Sequence, residues 1–137
     1  MHEPMILSHA GMGDRHFSFQ LAGMSSDNCD CVGQRTTGSK AGASTLTGPD
    51  WEGELPTSVE STSPAPTPWT LCLGRTRVDG PDDPAAVRKL QSQCQLTPLS
   101  LWGQSDATAP ERRDVLNPIE MTGIGPARAR AAGVLTR

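Results

Sequence analysis

Phe17, Phe19 and Leu21 alternate with Ser18, Gln20 and Ala22. This period of two predicts a half-buried β-strand across "RHFSFQLAGM" (15–24). "SSDN" (25–28) carries turn chemistry, and Cys29–Gly33 follows as a short second strand, so residues 15–33 read as a hairpin. The alternation returns in "WTLCLGRTRV" (69–78), where Trp69, Leu71 and Leu73 point one way and Thr70, Cys72 and Gly74 the other. The two apolar triplets are expected to face each other across one interior. Met5–Leu7 and "ASTLT" (43–47) add two weaker strands.

At "DGPDD" (79–83) the period changes. Asp83 is a good helix N-cap, and Pro84 suits the first helical position, where its missing N–H costs nothing. Val87, Leu90 and Cys94 then form one helical stripe through about residue 95, before Pro98 forbids continuation. "LTPLSLWG" (96–103) reads as an apolar tail packed on the sheet. The remaining segments read as connections. "GPDWEGELP" (48–56) is turn-rich, with Trp51 placed to cap a sheet edge. Residues 57–68, rich in Ser, Thr and Pro, read as extended linker rather than core. From 104 onward the chain is polar and broken by proline.

Composition makes this picture a thin one. Leu 12, Ile 3, Val 6 and Phe 2 total 23 of 137 residues. That is about 17%, below the roughly 20% at which cores become poor. There is no Tyr, although β proteins commonly fill the space between sheets with aromatics. The net charge of −3 is too small to enforce disorder and gives no basic footprint for nucleic acid. No apolar run reaches the roughly 20 residues of a spanning helix. "MHEPMILSHAG" lacks the charged start and apolar stretch of a signal peptide, so the chain as written is expected in the cytoplasm.

Four places invite a chemical reading. "GQRTTGSKAG" (33–42) has the glycine spacing of a phosphate loop, but Ser39 and Lys40 stand in the reverse order and no helical stripe follows. "TGIGPARARAAG" (122–133) is similar to the glycine hairpin of helix-hairpin-helix DNA-binding modules, without the apolar helix that should precede it; a frayed basic tail is preferred. Cys29 and Cys31 would share one strand face about 7 Å apart, too far for two thiolates on one zinc without bending. Cys72 and Cys94 supply no second close pair, so no metal is expected. Arg75 and Asp79 flank the end of the second alternating strand and are placed to pair. A structural ion pair and a site rim both remain open there, the structural one preferred. No G-x-S-x-G or H-E-x-x-H occurs.

"GRTRVDGPDDPAAVRKLQSQCQLTPLSLWG" (74–103) resembles the family called domain of unknown function 1254, found mostly in bacteria. Its members carry a G-R-T-x-V-x-G-P-x-D strand and turn, a helix with L-Q, and then L-T-P-L-S-x-W-G. The resemblance extends through "GDRHFSFQL" (13–21), "DNCDCVGQRTTGSKAG" (27–42), "GPDWEGELP" (48–56), "TPW" (67–69) and "ERRDVLNPIE" (111–120). It implies a mainly β fold, a partial immunoglobulin-like β-sandwich with one short α-helix near residues 84–95. The domain is expected over 1–116, with 117–137 as a disordered or frayed tail. It also implies that Gly33–Gly42 is a family loop, hence scaffold. Longer relatives are usually exported and carry a second domain, domain of unknown function 1214. Against them this chain reads as truncated. Cys29, Cys31, Cys94 and His16 fall where relatives usually show Tyr or Phe. Each such loss of contact costs on the order of a few kcal/mol, so a marginal fold is expected.

No settled reaction comes with the family, which leaves three readings. The preferred one is a non-catalytic, truncated and decayed fragment of the β domain, with strand edges left by truncation open to a partner or to self-association. The others are part of an exported hydrolase-like enzyme whose site lies mainly in a missing domain, and weak DNA binding by the tail. No cofactor, nucleic-acid or membrane partner is expected.

Overall fold

The computed structural model of the chain describes residues 3–104. Within them run strands β1 (Met5–His9), β2 (Phe17–Gly23), β3 (Asn28–Gly33), β4 (Gly42–Thr47), β5 (Ser61–Pro64) and β6 (Thr70–Thr76), then helix α1 (Pro84–Gln91) and strand β7 (Gln95–Pro98). The strands form two sheets, β5-β4-β1-β7 and β3-β2-β6. The fold is therefore mainly β, as the alternation predicts. Pairing is antiparallel except between β4 and β5, which run parallel. The predicted hairpin is present: β2 turns into β3 through Ser26, whose φ of 66° is tolerated in a polar turn.

The core lies between the sheets. Leu7 and Leu46 from one sheet pack with Leu21 and Val32 from the other, flanked by Met5, Phe19, Cys29 and Cys72. Phe17 is 1% exposed, and its ring lies 4.9 Å from the buried His9 ring and 6.0 Å from Phe19. The three rings form a small aromatic cluster. The Ser63 hydroxyl of β5 donates to the Asp30 carboxylate of β3, a polar tie from one sheet to the other. Burying each large apolar side chain contributes roughly 1.5–3 kcal/mol, so so few of them leave a small margin.

Three expectations need correction. Trp69, Leu71 and Leu73 do not face Phe17, Phe19 and Leu21: β6 lies beside β2 in one sheet, and the triplet is 73%, 60% and 41% exposed. The reason is steric. Phe19 sits opposite Gly74 and Leu21 opposite Cys72, and a Cβ on Gly74 would stand 3.1 Å from the Phe19 ring. The inward face of β6 must therefore be its small-residue face. Second, residues 57–68 are not all linker. β5 joins β4, and Ser63 and Ala65 are 3% and 4% exposed. Third, the helix ends at Gln91, with the Ser92 N–H donating to the Arg88 carbonyl. The chain then turns so that β7, expected as an apolar tail, pairs with β1.

In the glycine-rich segment the Gly33 carbonyl accepts from the Thr36 and Thr37 N–H groups, and the chain passes through the turn into β4 without a helix. A second device holds the far end of β6. Arg15, just ahead of β2, makes a two-pronged contact with Asp83 at 2.5 and 2.8 Å and also donates to the Arg77 carbonyl. Asp83 stands at the N-cap of α1 as predicted, but its carboxylate takes Arg15 and the Asp79 N–H instead of capping the helix. Both side chains of the pair are only 16% exposed. Arg15, and next the Asp79 N–H, hold the Asp83 carboxyl down at about 2.

Gly33→Ala would place a Cβ 2.6 Å from the Phe17 carbonyl oxygen and 2.9 Å from the Ser18 Cα, both backbone atoms that cannot swing aside. The expected loss is about 1–3 kcal/mol of unfolding free energy, measured by urea denaturation. For Asp83, a lowered pKa means a contribution present above the ordinary carboxylate range and lost as pH falls toward about 2. Asp83→Asn is therefore expected to melt below wild type at pH 7. The gap should close between about pH 4 and pH 2, as thermal scans across that range would show.

Candidate interaction surface

β6 is an edge strand. The Arg77 N–H donates to the His16 carbonyl, which fixes the ladder phase: the odd residues of β6 bond to β2. The backbone groups of Thr70, Cys72, Gly74 and Thr76 consequently point away from the sheet and meet no partner among the described residues. The Thr70 hydroxyl, buried, also lacks a partner there.

The free edges of β3 and β7 are blunted. On β3 the free edge carries Cys29, Cys31 and Gly33. The Asp30 carboxylate accepts from the Cys31 N–H at 2.7 Å, the Thr36 hydroxyl donates to the Cys31 carbonyl at 2.7 Å, and Thr36 and Thr37 occupy the Gly33 carbonyl. Pro98 ends β7 and removes a donor from its free side. On β5 the Glu60 N–H donates to the Ala43 carbonyl, so the backbone groups of Ser61 and Ser63 face outward. Among the described residues, β6 presents the longest run of outward backbone groups.

The outer face of the same sheet carries two kinds of surface. Toward the start of β6 it is apolar, with Trp69, Leu71 and Leu73. At the opposite end an open cleft of about 310 Å³ is lined by His16, Ser18, Cys31, Gln34 and Arg35, together with Phe17, Gly33 and Thr36. Its polar lining is the His16 imidazole, the Cys31 thiol, the Arg35 guanidinium, the Gln34 amide and the Ser18 and Thr36 hydroxyls.

Arg75 and Asp79 are not brought together. Arg75 is exposed on the outer face opposite Ser18, whereas Asp79 pairs with Arg77 at 2.6 Å and lies 3.7 Å from Arg15. The signal for the true partner of Asp79 was its i−2 spacing from Arg77; the Arg15–Asp83 pair, 68 residues apart in sequence, carried none. Cys29 and Cys31 do not share a face either. Leu21 pairs with Asp30 and Ala22 with Asn28, so Cys29 is the extra residue of a β-bulge. Its thiol turns inward to the Leu21 carbonyl, while Cys31 lines the outer cleft. Burial pushes the Cys72 and Cys94 thiols up, keeping them protonated and weakly nucleophilic. No three His, Cys, Asp or Glu side chains gather to hold a metal ion among the described residues. The hairpin-like segment 122–133, the stretch 111–120 and the expected tail 117–137 lie outside those residues.

The fold is similar to that of the VPA0106 protein from Vibrio parahaemolyticus, with a TM-score of 0.69 and 23% identity. The similarity covers 85% of this chain and 29% of that one, so the chain spans under a third of that longer protein. No curated protein matches it. A family model described as "Protein of unknown function (DUF1254)" matches residues 1–98. With well over half of its length matched, and with the two-sheet fold in place, the chain belongs to the DUF1254 family.

Proposed function

We infer that this protein is a non-catalytic DUF1254 module that works by binding, through the open edge and outer face of its three-stranded sheet. The observation that carries this is β6 itself. Bare backbone groups at Thr70, Cys72 and Gly74 stand beside exposed Trp69, Leu71 and Leu73. An extended chain added there gains backbone bonds from the edge and side-chain specificity from the alternating outer face. The ionic groups of the neighbouring turn support a structural assignment: Arg15, Arg77, Asp79 and Asp83 spend their charges on one another. No helix among the described residues is long and apolar enough to cross a membrane.

Display selection with extended peptides on sparsely immobilised full chain tests this reading. Peptides of alternating apolar pattern are expected to enrich. Their binding should fall by about tenfold or more on Leu71→Lys/Leu73→Lys, about 1.4 kcal/mol or more. Failure to enrich, or binding indifferent to the double substitution, refutes it.

A further inference from the structure

We propose that the cleft at the His16 end of the outer face binds a small oxyanion, a carboxylate or phosphate group carried by a small molecule, with the Arg35 guanidinium as its main anchor. The site is separate from the β6 edge and does not require that edge to bind anything.

Four donors line this cleft unused. The side chains of Arg35, His16, Gln34 and Ser18 make no hydrogen bond or ion pair among the described residues. Other arginines are committed: Arg15 to Asp83, Arg77 to Asp79 and Arg88 to the Pro84 carbonyl. The carboxylates that could neutralise the cleft are engaged as well. Asp30 accepts from the Ser63 hydroxyl and the Cys31 N–H, and Asp79 and Asp83 are held by Arg77 and Arg15. No Asp or Glu is among the lining residues. One strand away, opposite Ser18 on β6, exposed Arg75 is a second guanidinium without a partner among the described residues. The chain as a whole carries a net charge of −3, so attraction for an anion is local to this face.

The shape agrees with a small ligand. A cleft of about 310 Å³ stands at the lower end of the range of ligand sites, roughly 300–1,000 Å³. Gly33, opposite Ser18, has no side chain to fill it. The grip comes from side chains and not from a phosphate loop: the Thr36 and Thr37 N–H groups donate to the Gly33 carbonyl, and the Gln34 N–H to the Phe17 carbonyl. A guanidinium meets an oxyanion with two parallel charge-assisted bonds, and the neighbouring amide, imidazole and hydroxyl each have a proton to add.

The test is a nuclear magnetic resonance titration of the nitrogen-15-labelled full chain with inorganic phosphate or succinate, ionic strength being held constant with chloride. The Ser18, Gln34 and Arg35 amides are expected to shift together and to saturate with a Kd of about 1 mM or below. Arg35→Gln, at an exposed position, should weaken this binding at least about tenfold with an unchanged circular dichroism spectrum. Arg35→Lys keeps the charge but loses the fork and should weaken it less. Leu71→Lys/Leu73→Lys, at the apolar end of the same face, should leave the affinity no weaker. Saturation by either ion supports the proposal, and the tighter one names the headgroup. Shifts that saturate with neither ion overturn it, as do shifts equally large at Lys40 and Lys89, or an affinity indifferent to Arg35→Gln. Peptide capture at β6 is scored separately, so loss of the anion site leaves the edge-binding reading standing, and the reverse.

Discussion

The packing of the Phe19 ring over Gly74 governs more of this molecule than any other contact. It demands that the inward face of β6 be the one with small side chains, and Cys72, Gly74 and the flanking threonines answer that demand. Once this face is inward, period-two geometry sends Leu71, Leu73 and Arg75 outward with no further choice. The interior is completed from the other strands, by Leu7, Leu46, Leu21, Val32 and the Phe17–His9 pair. The apolar exposure on β6 is therefore a direct result of how the core is filled.

Fewer large side chains than usual hold the two sheets together, and polar contacts carry part of the burden. The Ser63–Asp30 bond joins the sheets at one place, and the Arg15–Asp83 pair fastens the β6–α1 connection to the strand that precedes it in space. These contacts are sensitive to ionisation in a way that apolar packing is not. The four thiols are free, and Cys29 and Cys72 pack beside the core.

The local periodicities were legible. Phe17, Phe19 and Leu21 announced β2, Ser25–Asn28 the hairpin turn, and Asp83–Pro84 the helix start. Alternation, however, says only that two faces differ; it does not say which faces inward. For β6 the apolar face was the natural choice, and only its neighbour Phe19 reverses it. β5 (Ser-Thr-Ser-Pro) and β7 (Gln-Leu-Thr-Pro) were hidden because four residues ending in proline are too short to show a period of two, and their strand character comes from pairing with β4 and β1. The bulge at Cys29 likewise belongs to the pairing and has no signature within β3 alone. The interaction surface was half visible: the residues were prominent, but their exposure depended on the strand order.

The blunting of β3 by Thr36 and Asp30 has a consequence for how far association can go. Growth of a sheet into a fibre needs two receptive sides, so that each added molecule offers a fresh landing place. Here a hydroxyl and a carboxylate occupy the far border of the same three-stranded sheet. A strand docked on β6 therefore extends that sheet on one side only, and continued growth through the β3 border is opposed.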